Sequence, residues 1–372
     1  MRGVLRWGLV LLIALAVGAT FSVAAVPDGP RLAIIRDFPY PKGLTEIATV
    51  NAVGGALQTV MRDEDLVRVE SPIGIIGSHP AFSPDGSLIA FASSVVRAGG
   101  VESPVVSVVG ADGAGLRALR GTFTEAEPIF APDGHTIAFA TLKVVNGPLD
   151  RDGASVFLGI RSVDIEDGSQ RMVTPWRPWG KGAVLYPSSY SPDGLTLAVT
   201  AWPFNGPTRA RAVAVRLDGS GSTLLAKNAE EPVYSPDGSR IAFVRVHTHV
   251  KHLPHRRKRT IIRKDLYVMR ADGSGLTRLT RSPRMLEEWP SWDPSGERIA
   301  FNRYRIAFDS YGPGPAGKPV EIPVPINTSV MQINADGTCL TKVLASRFRQ
   351  SLDGVAWQPG PGRGAGPIEC GG

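Results

Sequence analysis

Short apolar runs separated by turn residues recur along the whole chain. Leu32-Ala33-Ile34, Leu88-Ile89-Ala90-Phe91, Ile137-Ala138-Phe139, Leu197-Ala198-Val199, Ile241-Ala242-Phe243 and Ile299-Ala300-Phe301 each follow a turn phrase. Those phrases are Pro27-Asp28-Gly29, Ser83-Pro84-Asp85-Gly86, Pro132-Asp133-Gly134, Pro192-Asp193-Gly194, Pro236-Asp237-Gly238 and the variant Asp293-Pro294-Ser295-Gly296. A second phrase alternates with the first: Val53-Gly54-Gly55, Ala111-Asp112-Gly113, Glu166-Asp167-Gly168, Leu217-Asp218-Gly219, Ala271-Asp272-Gly273 and Ala335-Asp336-Gly337. Pro presets φ for the first turn position, Asp bonds its own backbone, and Gly accepts the positive φ that closes the turn. Runs this short and this rich in β-formers read as strands joined by hairpins. Each repeat is then strand a, the Pro-Asp-Gly turn, strand b, a connection, strand c, the Asp-Gly turn and strand d. Successive Pro-Asp-Gly turns lie 57, 48, 60, 44 and 58 residues apart. Four strands per period of that size predict an all-β fold, a six-bladed β-propeller of WD-type repeats. The competing arrangement, an antiparallel sandwich, does not account for six copies of two alternating turns.

The ends predict how the ring closes. The first copy begins at its turn and lacks a strand a. After the last copy, Val355-Ala356-Trp357-Gln358-Pro359-Gly360 matches Pro80-Ala81-Phe82-Ser83-Pro84-Asp85, a strand a with no partner following it. A C-terminal strand is therefore expected to complete the N-terminal blade, removing two exposed sheet edges. The propeller is expected over 26–360, with a Gly/Pro-rich tail over 361–372. Residues 1–25 read as a signal peptide. Arg2 and Arg6 precede an uncharged apolar stretch from Trp7 to Val26, and Val23-Ala24-Ala25 offers a cleavage site. The same stretch is long enough to serve as an uncleaved anchor. Export places the chain in a periplasmic or extracellular compartment.

The phrases Ser-Pro-Asp-Gly-x-x-Ile-Ala-Phe and Ala-Asp-Gly-Ser-Gly-Leu-Thr-x-Leu-Thr resemble the propeller repeats of the TolB-like family, over roughly residues 27–360. The resemblance implies a propeller acting in the Tol-Pal system of the cell envelope. TolB also carries an N-terminal α/β domain, whereas here the repeats start directly after the apolar stretch. Similar propellers precede the catalytic domain of prolyl-oligopeptidase-type peptidases.

Charge narrows the partner class. Residues 245–264 hold Arg245, Lys251, Arg256, Arg257, Lys258, Arg259, Arg263 and Lys264 with no Asp or Glu. This segment alone carries +8 of a net +7, so the remainder sums to −1. Nucleic acid is not expected as a partner, because the basic pI reports one segment. The segment reads as a solvated basic loop suited to an anionic polymer or membrane surface, with Arg256, Arg257, Lys258 and Arg259 at its centre. His247, His249, His252 and His255 within it are metal candidates by residue type. Adjacent fixed positive charge and the lack of second-shell partners argue against a metal.

Two further constellations fall on one face. The b–c connections, about 37–46, 94–104, 142–154, 201–210, 246–264 and 303–328, are long and dissimilar, and insertions gathered on one face mark a binding face. Trp176, Trp179, Trp202 and Phe204 meet there, either to stack on sugar or grip a peptide, or as a small core under Pro-rich loops. His79, Glu127 and Glu231 each precede a strand-a proline and approach the mouth of the central channel. Their carboxylates either hold a cation or basic side chain, or bond neighbouring backbone N–H groups. Cys339 and Cys370 are expected to form a disulfide that fastens the closing strand to the last blade.

No Gly-x-Ser-x-Gly, His-Glu-x-x-His or Gly-x-x-x-x-Gly-Lys occurs. A monomeric binding scaffold of the envelope, without cofactor, is the expectation, its partner an envelope protein, a peptide or an anionic polymer. The alternative is a propeller lyase or hydrolase acting on an envelope polysaccharide or peptide.

Overall fold

The computed structural model describes residues 29–38, 44–55, 57–62, 72–75, 79–96, 102–119, 124–145, 155–175, 177–178, 183–203, 210–252, 258–283, 285–313, 319–346, 350–360 and 366–370. The apolar N-terminal stretch, with both its signal and its anchor reading, lies outside them. Six antiparallel sheets follow one another. Blade 1 holds β1 (Arg31–Phe38), β2 (Leu44–Asn51) and β3 (Gln58–Arg62). Blade 2 holds β4 (Pro72–Ile75) and β5 (Ala81–Phe82), both paired with β6 (Leu88–Val96), then β7 (Glu102–Gly110) and β8 (Arg117–Ala118). Blade 3 holds β9 (Thr124–Phe130), β10 (Thr136–Val145), β11 (Ser155–Asp164) and β12 (Gln170–Met172), with β13 (Arg177–Pro178) also on β11. Blade 4 holds β14 (Ala183–Tyr190), β15 (Thr196–Pro203), β16 (Arg211–Arg216) and β17 (Ser222–Lys227). Blade 5 holds β18 (Ala229–Tyr234), β19 (Arg240–His252), β20 (Lys258–Arg270) and β21 (Thr277–Arg278). Blade 6 holds β22 (Leu286–Trp292), β23 (Arg298–Pro313), β24 (Pro319–Asn334) and β25 (Thr341–Ala345). The last strand, β26 (Ser351–Trp357), pairs with β1 from Leu32↔Trp357 to Asp37↔Ser351 and completes blade 1. The expected closure is thus present.

The two turn phrases act as their chemistry requires. Asp85, Asp133, Asp193 and Asp237 each accept the backbone N–H two residues on, at 2.9–3.1 Å. Ser83, Ser191 and Ser235 donate to the turn Asp at 2.5 Å and accept the N–H that opens strand b. In the variant turn Asp293 replaces that serine and takes both backbone N–H groups, from Glu297 and Arg298, itself. The Ile-Ala-Phe triplets of strand b are the core. All six, from Leu32-Ala33-Ile34 to Ile299-Ala300-Phe301, are fully buried between blades.

Polar bonds stitch neighbouring blades across this apolar packing. Asn302 Nδ2 donates to Leu352 O (2.8 Å), Gln332 Nε2 to Ala52 O (3.0 Å) and Gln358 Nε2 to Gly86 O (2.8 Å). Cys339 and Cys370 are disulfide-bonded with a Cα–Cα distance of 5.1 Å. Residues 366–370 of the tail lie along blade 6. Arg298 donates to the Gly366 and Pro367 carbonyls, and Asn334 exchanges two hydrogen bonds with Ile368.

One expectation changes. The basic segment is mostly not a loop. β19 and β20 run in unbroken register from Arg240↔Arg270 to His252↔Lys258, leaving 253–257 between them. The 303–328 connection is likewise a long hairpin of β23 and β24. The reason is period-two alternation: Val244, Val246, Thr248 and Val250 alternate with Arg245, His247, His249 and Lys251.

Candidate functional site: the channel mouth

In five of the six blades the inner strand carries a register break near its middle. Glu127-Pro128 together oppose Phe139, Glu231-Pro232 oppose Phe243, and Trp289-Pro290 oppose Phe301. Ser188 and Gly354 are the extra residues in blades 4 and 1. In blade 2 the inner strand is divided into β4 and β5, with His79 directly ahead of β5. A bulge bends its strand and re-aims one side chain. Glu127, Glu231 and Trp289 adopt φ of 56°, 55° and 52°, values that L-residues avoid at a cost on the order of 1 kcal/mol or more each. Three strained residues at equivalent positions around one opening make this a built feature. Pro supplies the reason it recurs: lacking an N–H, it sits in a strand only at an edge or a bulge.

The bulges bring Glu127, Glu231 and Trp289 to one cavity of about 580 Å³, also lined by His79, Tyr186, Trp202, Glu230, Lys264 and Glu288. A second cavity of about 550 Å³ is the channel. Its lining runs from His79, Glu231 and Trp289 to a collar of Pro84, Pro132, Pro192, Pro236, Pro294 and Pro359, one proline per blade. His79 Nδ1 lies 2.6 Å from Glu127 Oε2. Glu231 donates its N–H to Thr200 Oγ1 (2.7 Å), and its carboxylate accepts the Trp289 N–H. Lys264 Nζ is 2.7 Å from Glu230 Oε2 and bonds Glu288 as well.

Electrostatics here are strongly perturbed. Burial, then the Glu288 charge, hold Glu231 well above the ordinary carboxylate range. Glu230 is raised by burial against the opposing pull of Lys264. Burial works against the Lys264 ammonium, but Glu288, Glu230 and Glu231 outweigh it and push its pKa up. Burial and the Glu288 charge keep the Tyr304 phenol protonated. On the closing strand, burial and the Asp37 carboxyl push Asp353 up to about 7. Carboxyls crowded around one buried ammonium can hold a cation or share protons.

Of the residues singled out from sequence, His79, Glu127, Glu231 and Trp202 converge on this mouth. Trp176 and Phe204 lie outside the described residues, as do Trp179, His255, Arg256 and Arg257. His249, His252, Lys258 and Arg259 sit on the β19–β20 ladder. His247 belongs to a structural cluster instead. Its Nε2 is 3.2 Å from the Tyr267 hydroxyl and 3.3 Å from Asp265, a fully buried carboxylate that also holds Arg263 and Arg278. Arg245 lies over the Tyr267 ring at 5.0 Å. So Arg245, Arg263 and Lys264 are committed at the base of the hairpin, a correction to the picture of eight solvated cations. Among the described residues no three His, Cys, Asp or Glu side chains form a metal-binding group. Sequence reasoning missed Glu230, Glu288, Lys264, Tyr186 and Trp289. The doublets Glu230-Glu231-Pro232 and Glu287-Glu288-Trp289-Pro290 carried the signal, since both precede a strand-a proline.

No family model matches the chain. A segment of 131 residues is 34% identical to the Tol-Pal system protein TolB of Anaeromyxobacter dehalogenans, covering 35% of this chain and 25% of that protein. The chain therefore spans about a quarter of the length of the curated relatives it matches. The crystal structure of TolB from Acinetobacter baumannii superposes with a TM-score of 0.58 at 16% identity, over 89% of this chain and 67% of that one. The chain is a six-bladed propeller that resembles TolB in fold and, over 131 residues, in sequence. The structure of the putative TolB from Agrobacterium tumefaciens gives a TM-score of 0.51 at 16% identity, over 89% and 99% of the two chains. Hydrazine synthase of Kuenenia stuttgartiensis reaches 0.55 at 12% identity, over 92% and 48%. The fold is common to unlike proteins, so what this propeller does rests on its own mouth.

Proposed function

We propose that this TolB-like propeller is an exported, monomeric binding scaffold of the cell envelope, without cofactor, that receives a protein partner at the channel mouth. The observation that carries the reading is the mouth itself. Five of six inner strands carry a bulge there, the bulges bring Glu127, Glu231 and Trp289 to one opening, and Trp202 on β15 lines the same cavity. The name shared by the curated relatives, a Tol-Pal system protein, supports the envelope setting. The β19–β20 hairpin offers a second contact, to an anionic polymer or membrane surface, through its Lys258 and Arg259 end and the adjoining 253–257 segment.

Crosslinking in intact cells followed by affinity capture tests the proposal. W202A and E127Q are expected to lose a partner that the wild type captures, while L195S, at an exposed turn on the opposite face, keeps it. A parallel panel of polysaccharides and peptides tests for turnover. Turnover abolished by H79A or E127Q would replace the scaffold reading with a propeller lyase or hydrolase.

A further inference from the structure

We infer that the channel mouth is a receptor for an organic ammonium group, a lysine side chain presented by the protein partner. This rests on the mouth being the binding face and adds the chemistry of what enters it.

Carboxylates outnumber cations there. Glu230, Glu231 and Glu288 share one ammonium, Lys264, while Glu127 lies 2.6 Å from His79 Nδ1 beside them. Glu230 is only 2% exposed, and its Oε2 holds Lys264. Its Oε1 has no hydrogen-bond partner among the described residues. An acceptor buried without a donor is unfavourable, so it favours a ligand that brings one. Lys264 demonstrates that this pocket accommodates a primary ammonium between carboxylates at hydrogen-bond distance.

The wall selects the kind of cation. Tyr186, Trp202 and Trp289 line the same cavity, and aromatic faces attract organic cations while covering an alkyl stem. A hard divalent ion needs six or more oxygen ligands, and two of the carboxylates are already committed to Lys264. No metal-binding group of His, Cys, Asp or Glu occurs among the described residues. The cavity of about 580 Å³ adjoins a channel of about 550 Å³, leaving length for an extended side chain.

Binding is linked to a proton. Glu231 is faced by Glu230 on its own strand, Lys264 on β20, Thr200 on β15, Glu288 and the Trp289 N–H on β22, and Tyr304 on β23. His79 and Glu127 line the same opening. In this surrounding Glu231 favours its neutral form, and a cation placed beside it favours the carboxylate. Ammonium binding therefore releases a proton, and affinity rises with pH.

Calorimetry on the whole chain tests this with acetyl-Gly-Lys-Gly-amide and its Nε-acetyl-lysine counterpart, in two buffers of different ionisation heat. The lysine peptide is expected to bind at least about tenfold more tightly than the acetylated one, with net proton release. W202A and E231Q are each expected to weaken the lysine peptide about tenfold, and E231Q to abolish the proton release. Should E231Q fail to fold, E127Q and the two peptides on wild type decide alone. Equal binding of both peptides, no binding of the lysine peptide, or its stoichiometric displacement by Ca²⁺ overturns the inference. Partner capture that still depends on Trp202 would then leave the binding face standing without this ligand.

Discussion

Gly354 occupies the bulge position that carries Glu127, Glu231 and Trp289 in other blades. Its φ is 59°, and a Cβ there would lie 2.3 Å from His79 Cα. At Gly168, with φ 73°, a Cβ would meet nothing within 4 Å. Changing Gly168 to Ala should cost about 1 kcal/mol, the price of the left-handed backbone alone. Changing Gly354 to Ala should cost about 2–4 kcal/mol, because overpacking is added. Urea unfolding of the two variants checks the difference, and equal losses would contradict it. Asp353 gives a pH prediction. Its folded pKa, about 7, is raised above the usual aspartate value by burial and Asp37. A raised carboxyl stabilises the fold fully below its unfolded pKa, and that contribution fades as pH rises through the folded value. Asp353→Asn should match the wild type near pH 4 and exceed it by on the order of 2–4 kcal/mol near pH 8, as measured by denaturation across that range. Neither residue was legible in the sequence as a site residue. Gly354 and Asp353 sit in a phrase without the usual proline, and only the register with β1 aligns them with the other blades.

At the scale of elements, the β19–β20 hairpin shows why charge density misleads. Eight cations in twenty residues suggest a solvated loop, yet Val244, Val246, Thr248 and Val250 keep the two-residue period of a strand. The ladder commits the base of the hairpin to Asp265, Glu230 and Glu288, while Lys251, Lys258 and Arg259 sit at its distal end. Changing Arg256, Arg257, Lys258 and Arg259 to Gln should abolish salt-sensitive binding to vesicles containing anionic lipid without lowering the thermal midpoint. Exposed charges act over a Debye length of ~8 Å at physiological ionic strength, so wild-type binding should fade with added salt. Sedimentation binding at several salt concentrations, with unchanged binding by the variant, would refute it. The disulfide works on a different element, the closing strand. Its two cysteines are 31 residues apart, which corresponds to about 3.5 kcal/mol in the chain-entropy model. Replacing Cys339 and Cys370 by Ser should lower unfolding free energy by about that amount, reduced in part by the Arg298 and Asn334 contacts that hold the tail independently.

The whole molecule was the most legible scale. Turn chemistry and spacing specify blade number, strand order and split closure, because each phrase serves one hairpin and each Ile-Ala-Phe triplet one inter-blade layer. The mouth was legible only in part. His79, Glu127 and Glu231 stand before prolines in plain view, but Lys264, Glu288 and Tyr186 reach them through tertiary packing of neighbouring blades. The central claim is that a partner engages this mouth, and site-specific photocrosslinking tests it most directly. A photoreactive side chain placed at Trp202, beside the cavity, is compared in living cells with one at Leu195, exposed on the turn face. A discrete protein adduct is expected from position 202 and none from 195. Adducts from 195 with none from 202 would contradict the claim.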